Sequence, residues 1–363
     1  MRRALLRACA LAFGLLLALT GLELVVRVLP VSDSLRVQPV NAANPILHFE
    51  PNRTLRLTRG WNGGIGATKR VNNVGFLSDV DYDGDPSRPK AVVIGDSYVE
   101  AVQVANAQAI HGVLNSAVSP HAVVYGVGVS GAPLSQYLAF AEYSVRAFRP
   151  RALVFVIVAN DFDESLLEYK RAPAFHYFSA SAEGYDLVRI DHTPSRIGGL
   201  AQHSALARYL MINLNAWTRV ARAPARPAAE PSFVANVPKH VSPERLSGSK
   251  RAVDFFLREL RARTPDTPAL FVVDGIRPDL YSSEALAAAR GSFFDVMRGY
   301  FMEQARGLSY EVVDLEPVFE ADYAAHGQRL EYATDAHWNE RGHELAARQV
   351  LRAATFRRAL ELD

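Results

Sequence analysis

The chain is poor in cysteine and in net charge. Cys9 is the only cysteine among 363 residues, so a disulfide framework is excluded. The formal net charge is +2. The one arginine-rich stretch, around residues 219–226, is interrupted by alanine and proline, which is typical of a solvated linker. No nucleic-acid partner is therefore expected.

Charged residues are also few, at 21%, whereas 49% of the residues are hydrophobic. This composition predicts a packed core and excludes global disorder. The length suits one large α/β domain or two smaller ones.

A long uncharged apolar run occurs at the N-terminus, over Ala8–Leu22. Arg2, Arg3 and Arg7 precede this run, and Glu23 follows it. Basic residues before an apolar stretch are the pattern of an export signal or a signal anchor. The alternative is an amphipathic core helix.

The flank after this stretch decides between a cleaved and an uncleaved segment. Residues 27–31 contain no A-x-A-like cleavage site, so we expect an uncleaved signal anchor, a single transmembrane helix, over residues 1–30. Its basic end would face the cytoplasm. A disulfide-free exported body is more typical of bacteria. These features predict a single-pass protein of a bacterial inner membrane with a periplasmic catalytic domain.

Short apolar runs alternate with helix-period segments from residue 91 onward. This alternation predicts an α/β domain over 91–363, with a central parallel sheet and helices on both faces. Residues 31–90 are predicted to be a stalk and N-terminal extension. An insertion at about 162–248, rich in proline and partly helical around 204–214, is a candidate cover for the active site. The predicted strands are 91–94, 122–125, 152–158, 269–273 and 310–313, and the predicted helices are 107–117, 134–148, 252–263, 284–305 and 340–362.

The apolar strand at 91–94 ends in Gly95-Asp96-Ser97. Ligands of open α/β sheets bind at the carboxyl ends of the strands. A serine there becomes a nucleophile when a histidine, oriented by a carboxylate, takes its proton. Asp335 and His337 could supply both groups from one loop. Val99 stands where a Gly-x-Ser-x-Gly elbow needs its second glycine, which argues against an α/β-hydrolase elbow.

Two further motifs follow predicted strands. Residues 126–131 match Gly-x-Gly-x-x-Gly, but no acidic residue ends the next strand, so the dinucleotide interpretation is disfavoured. These glycines would instead let backbone amides approach a reacting oxygen. Asn160 and Asp161 follow the strand at 152–158. The Asn160 amide could donate to an oxyanion, and the alternative is an Asx turn that caps a helix.

In this order, the motifs resemble those of the SGNH/GDSL hydrolase superfamily. The resemblance implies a flavodoxin-like three-layer α/β fold, with Ser97 as nucleophile and His337 as base. It also implies that Asp335 orients His337, and that the oxyanion hole consists of Ser97, Gly128 and Asn160. The family's usual Leu is Tyr98 here, and a glycine expected before Asn160 is Val158. The one-residue spacing between Asp335 and His337 resembles members associated with bacterial exopolysaccharide O-acetylation.

The resemblance implies an ester hydrolase that acts on an acyl, most simply acetyl, ester outside the cytoplasm. The alternatives are an O-acetyltransferase that modifies a cell-envelope polysaccharide and an inactive membrane-tethered binding module. No cofactor and no metal is expected. The expected partners are an acylated small molecule or carbohydrate, the membrane through the N-terminal helix, and a membrane acyltransferase.

Overall fold

The structure is a computed structural model and describes residues 2–182, 184–215, 233–277 and 279–362. The arginine-rich stretch at 219–226 lies outside these residues. In chain order the strands are β1 (Arg53–Arg59), β2 (Ile65–Val71), β3 (Lys90–Gly95), β4 (Val123–Gly128), β5 (Ala152–Ile157), β6 (His176–Ser181), β7 (Gly184–Arg189), β8 (Phe233–Val234), β9 (Val237–Pro238), β10 (Ala269–Val273), β11 (Glu311–Asp314), β12 (Glu331–Tyr332) and β13 (Asp335–Trp338).

The helices are numbered in the same way. They are α1 (Arg2–Val26), α2 (Ser97–Glu100), α3 (Ile110–Val118), α4 (Leu134–Phe148), α5 (Arg196–Ala201), α6 (Ala205–Arg208), α7 (Pro243–Arg263), α8 (Ser283–Ala289), α9 (Phe293–Gly307), α10 (Glu316–His326), α11 (Glu340–Arg352) and α12 (Ala354–Leu360). A π-helical turn (Tyr209–Asn213) continues α6.

Among the described residues, five parallel strands form the central sheet in the order β11-β10-β5-β3-β4. This is the doubly wound order of flavodoxin-like folds, and the strand order reverses between β3 and β5. The predicted α/β fold with a central parallel sheet is confirmed. The reversal leaves a crevice at the carboxyl ends of β3 and β5, which is where Ser97 and Asn160 follow their strands.

Helices cover both faces of the sheet because successive strand residues point to opposite sides. Val93 and Val154 pack with α3, α11 and α12, whereas Val92 and Phe155 pack with α4, α7 and α9. Both faces are therefore buried, which explains the uninterrupted apolar runs in the sequence. Burial of a side chain such as Phe155 stabilises the fold by about 1.5–3 kcal/mol.

Two of the predicted helices are interrupted in the structure. The segment predicted as helical over 284–305 forms α8 and α9, separated at Gly291, whose φ of 73° is left-handed. The C-terminal helix divides at Ala353, where the backbone is extended, into α11 and α12. The apolar periodicity continues across both breaks, so it did not reveal them.

Residues 31–90 differ from the predicted stalk. β1 and β2 form an antiparallel hairpin, and Leu55, Phe76 and Tyr82 belong to the same apolar core as α4. The Tyr82 ring stacks on Tyr125 of β4 with centroids 4.0 Å apart. Polar residues alternate with buried ones along this segment, so its average composition concealed its burial. The segment covers β4 and packs as part of the α/β body.

The insertion at 162–248 contains more regular structure than its prolines indicated. β6 and β7 form one antiparallel hairpin and β8 and β9 another. The helical prediction around 204–214 coincides with α6 and the π-helical turn. Both the second hairpin and the π-helical turn lie beside Ser97, as described below.

The helix α1 precedes the body and is exposed along nearly its whole length. It is long and apolar enough to cross a membrane, and 6% of its most apolar window is buried. An amphipathic core helix would bury one face against the body.

Candidate active site

Ser97 opens α2 directly after β3. The Asp96 carboxylate caps this helix by accepting the Tyr98 N–H at 2.9 Å, and its Oδ2 lies 3.1 Å from Ser97 Oγ. A side chain at Gly95 would collide with Val99, since a Cβ there would lie 2.5 Å from Val99 Cγ2. Glycine thus allows the tight strand-to-helix turn that leaves the Ser97 hydroxyl half-exposed at the sheet edge.

His337 lies on β13 and contacts both predicted partners. Its Nε2 is 2.7 Å from Ser97 Oγ, and its Nδ1 is paired with Asp335 Oδ1. Asp335 also accepts the backbone N–H of His337 at 3.0 Å, so the two-residue turn holds ring and carboxylate together. The imidazole can therefore accept the serine proton at Nε2 while Nδ1 donates to the carboxylate.

Asp335 is held in its ionised form. Burial would raise the pKa of this carboxyl, but the hydrogen bonds from His337 outweigh it and keep that pKa well below its usual range. Gln103 donates a further hydrogen bond to Asp335 Oδ2 at 3.0 Å. The carboxylate is thus fixed on both oxygens, one toward His337 and one toward Gln103.

A buried arginine fixes the strand that carries His337. Arg277 pairs with Asp274 at 2.6 Å and donates to the Ala336 carbonyl at 3.2 Å and to Tyr98 OH at 3.3 Å. Trp338 donates its indole N–H to the same Asp274 at 3.0 Å. No motif in the sequence pointed to Arg277. It connects the serine turn, through Tyr98, to the histidine strand.

Asn160 follows β5 and lines the same cavity as Ser97 and His337. Its neighbour Asp161 makes the local turn, because Asp161 Oδ2 accepts the Val158 N–H at 2.7 Å. The Asn160 side chain makes no hydrogen bond with any described residue. Its amide is thus an unused donor at the cavity, and the Asx-turn alternative does not describe it.

Gly128 does not lie where the resemblance implies. It is the last residue of β4, buried opposite Gly95, and a Cβ there would lie 2.6 Å from Val99 Cβ and 2.7 Å from the Glu100 nitrogen. This glycine allows β4 to pack closely against α2, and it borders neither cavity at Ser97.

Gly131, three residues later, does border the smaller cavity at Ser97. It lines the cavity that contains Ser97 and Asn160, and its φ of 80° is left-handed. None of the described residues accepts its N–H. Gly131 is the last glycine of the 126–131 motif. The sequence predicted that β4 ends at Tyr125, whereas the strand runs to Gly128. The glycine in the loop after the strand is therefore Gly131 and not Gly128.

The loop of Gly131 is held from both sides. Glu100 accepts the Ser130 N–H at 3.0 Å and also pairs with the Ser130 hydroxyl. Lys170, from the insertion, donates to the Gly131 carbonyl at 2.8 Å. Sequence reasoning missed both residues, because only the fold brings them to this loop.

Glu100 and Lys69 form a buried charged group beneath the site. Lys69 Nζ donates to the carbonyls of Glu100 and Ala101 at 2.9 and 2.5 Å. Burial raises the pKa of Glu100 to about 7 and lowers the pKa of Lys69 to about 7.

Two cavities meet at Ser97 and His337. The larger, about 580 Å³, also borders Asp335, Gln103 and polar residues of the insertion; the smaller, about 310 Å³, also borders Gly131 and Asn160. The second hairpin of the insertion, at Ala235 and Asn236, lies on the smaller one. An ester placed between them would meet the serine hydroxyl, the imidazole and the amide donors together.

Comparisons with models of protein families and with curated protein sequences find no match. Solved structures of similar fold include a lipase/acylhydrolase from Enterococcus faecalis, with 12% identity and a TM-score of 0.40 over 74% of this chain and 96% of that one. A member of the lipolytic G-D-S-L family from Veillonella parvula has 12% identity and a TM-score of 0.37 over 73% and 98%. An acetyl xylan esterase has 11% identity and a TM-score of 0.42 over 73% and 99%.

Proposed function

We propose that the protein is a serine-nucleophile ester hydrolase of the SGNH/GDSL type that acts on an acyl ester, most simply an acetyl ester, outside the cytoplasm. The observation that carries the proposal is the line of contacts from Ser97 through His337 to Asp335. A hydroxyl, an imidazole and an ionised carboxylate in this order form an activated nucleophile.

The reaction begins with attack of Ser97 Oγ on the ester carbonyl while His337 Nε2 takes the hydroxyl proton. The tetrahedral oxyanion accepts hydrogen bonds from the Asn160 amide and the backbone amides of Ser97 and Gly131. Asp335 stabilises the imidazolium. As the C–O bond to the alcohol breaks, His337 returns the proton to the departing alkoxide. A water molecule, deprotonated by His337, then attacks the acyl carbonyl carbon. As the C–O bond to Ser97 breaks, His337 gives that proton to Ser97 Oγ and the acid is released.

A second candidate is transfer of the acyl group to a hydroxyl of a cell-envelope polysaccharide. The 580 Å³ cavity favours it, because Ser130 and Thr334 line this space beside His337. Such side chains can hydrogen-bond the hydroxyls of a sugar. A sugar hydroxyl would replace water in the second step, with the same proton acceptor. A membrane acyltransferase would be a suitable donor of the acyl group in that case.

The experiment that tests both candidates is turnover of a small acetyl ester by the purified full-length protein, with and without a carbohydrate acceptor. The hydrolase proposal predicts release of acetate without acceptor. Acetylated carbohydrate formed at the expense of acetate would favour transfer. No acetyl-enzyme and no turnover by wild type, at the level of Ser97→Ala, would leave only the binding-module alternative.

We also propose that α1 anchors the protein in a bacterial inner membrane, with Arg2, Arg3 and Arg7 in the cytoplasm and the body in the periplasm. The flank asymmetry supports this orientation. Protease added to spheroplasts tests it. The body should be digested while a tag placed before Arg2 stays protected.

A further inference from the structure

Large exposed apolar side chains outside α1 concentrate where this helix joins the body. Among the described residues, seven large apolar side chains outside α1 are exposed, and five of them lie at this junction. We call these five the apolar rim: Val28, Leu29, Trp61, Leu210 and Met211. Trp61 is 72% exposed and Met211 60% exposed. Exposed apolar residues that cluster in this way mark an interaction surface.

Three segments are bound together at the rim by Asn213. Its buried side chain accepts the Ser32 N–H at 2.9 Å and donates to Thr58 Oγ1 at 3.1 Å. The Tyr209 hydroxyl donates to the Trp61 carbonyl at 2.8 Å. The chain after α1, the β1–β2 turn and the π-helical turn therefore form one unit.

The position of α1 in the bilayer determines how far this unit lies from the membrane surface. Residues 8–26 rise about 28 Å as a helix, close to the hydrocarbon thickness of about 30 Å. Glu23, in the last turn, would then lie at the membrane boundary. Its carboxylate accepts hydrogen bonds from Ser204 Oγ at 2.8 Å and from the Leu206 N–H at 2.9 Å. Residues at the start of α6 must therefore lie at the same depth.

The linker between α1 and the body is also short. The Thr58 hydroxyl binds the Pro30 carbonyl at 2.7 Å, and only residues 27–29 separate Pro30 from the end of α1. These four steps extend at most about 14 Å. The β1–β2 turn that carries Trp61 cannot lie far from the bilayer, and tryptophan favours the membrane–water interface.

We propose that the apolar rim lies in the interface of the bilayer that α1 spans, so that the larger active-site cavity opens beside the membrane surface. Gly60 and Ile212, neighbours of Trp61 and Met211, line that cavity together with Ser97 and His337. The partner is the lipid bilayer. The inference rests on the proposed anchoring by α1, and it adds that the body lies against the membrane and receives its substrate there.

Trp61 provides the test in full-length protein reconstituted into phospholipid vesicles. The other tryptophans are Trp217 and the fully buried Trp338. In a Trp217→Phe background, lipids brominated near the headgroup should abolish most of the Trp61 emission. Trp61→Phe in the same background should leave only a Trp338 signal that the lipids do not change.

Leu308 provides a matched control because it is exposed and lies just before β11, at the end of the sheet opposite Ser97. Leu308→Trp in the double-Phe background should resist brominated lipid but be quenched by iodide. Flotation with the vesicles reports insertion of α1 separately. Protein that floats while Trp61 stays unquenched overturns the rim proposal and leaves the anchor intact; crosslinking between copies would then identify a second chain as the cover. Protein that does not float overturns both.

Discussion

His337 Nε2 lies 2.7 Å from Ser97 Oγ, although 240 residues separate them along the chain. The serine turn follows β3 in the middle of the sheet, and the histidine strand is fixed above it by Arg277 and Tyr98. This contact connects the fold to the proposed chemistry, since neither residue is reactive in this way alone.

Asn160→Ala should slow turnover per folded molecule by about a hundredfold to a thousandfold, because one donor to the oxyanion is lost. Asn160→Asp, which keeps the volume but donates no hydrogen bond when ionised, should show a comparable loss. Initial rates, normalised to the folded fraction, and melting temperatures check this. Earlier melting with a nearly unchanged rate per folded molecule would assign Asn160 a structural role only.

Arg277→Met should destabilise the fold by about 3–5 kcal/mol, because Asp274 would remain buried without its cation. Arg348→Met is a suitable control, since its ion pair with Glu344 is exposed and contributes about 0.3–0.5 kcal/mol. Urea unfolding of both variants gives the two values. Equal values would show that Arg277 does not organise the core of the site.

Glu100→Gln should weaken the dependence of stability on pH between 4.5 and 7. The pKa of Glu100 is raised from 4.5 to about 7 by burial, so the folded state holds this proton where the unfolded chain has released it. Stability therefore falls as pH rises through this window, by up to about 3 kcal/mol from this group.

Urea unfolding at pH 5 and pH 7 measures the effect of Glu100. Wild type and a variant at the exposed Glu303, Glu303→Gln, should lose stability between the two values, and Glu100→Gln should lose less. The same loss in all three proteins would mean that Glu100 is not titrating in this range.

A chain that begins at Val31 should fold, because α1 is exposed and contributes little to the core. Removal of the hydrogen bonds that Glu23 accepts from the start of α6 should lower the stability only slightly. Circular dichroism and urea unfolding of the truncated protein check both statements. A truncated chain without a cooperative transition would show that α1 is required for the fold.

The sequence predicted the sheet well because four of its five strands, all except β11, are buried on both faces and appear as apolar runs. The contact between Ser97 and His337 could also be expected from the sequence, since a serine at a strand end and an Asp-x-His pair are local patterns. Gly128 was assigned from such a pattern too, but only the structure shows that β4 continues through it and that Gly131 faces the cavity.

The remaining parts of the site depend on contacts between distant segments. Three residues of the site bind partners that are distant in sequence or lie in another element: Arg277, Glu100 and Lys170. No rule of sequence spacing identifies these contacts. The β1–β2 hairpin was missed because its buried residues alternate with exposed ones in a segment of polar composition. Tertiary packing, not local propensity, determines these features.

The most direct test of the central claim is covalent labelling by a fluorophosphonate, which reports an activated serine. Wild type should be labelled, Ser97→Ala should not be, and His337→Ala should be labelled far more slowly because the proton acceptor is gone. Equal labelling of wild type and Ser97→Ala would place the nucleophile elsewhere and contradict the account.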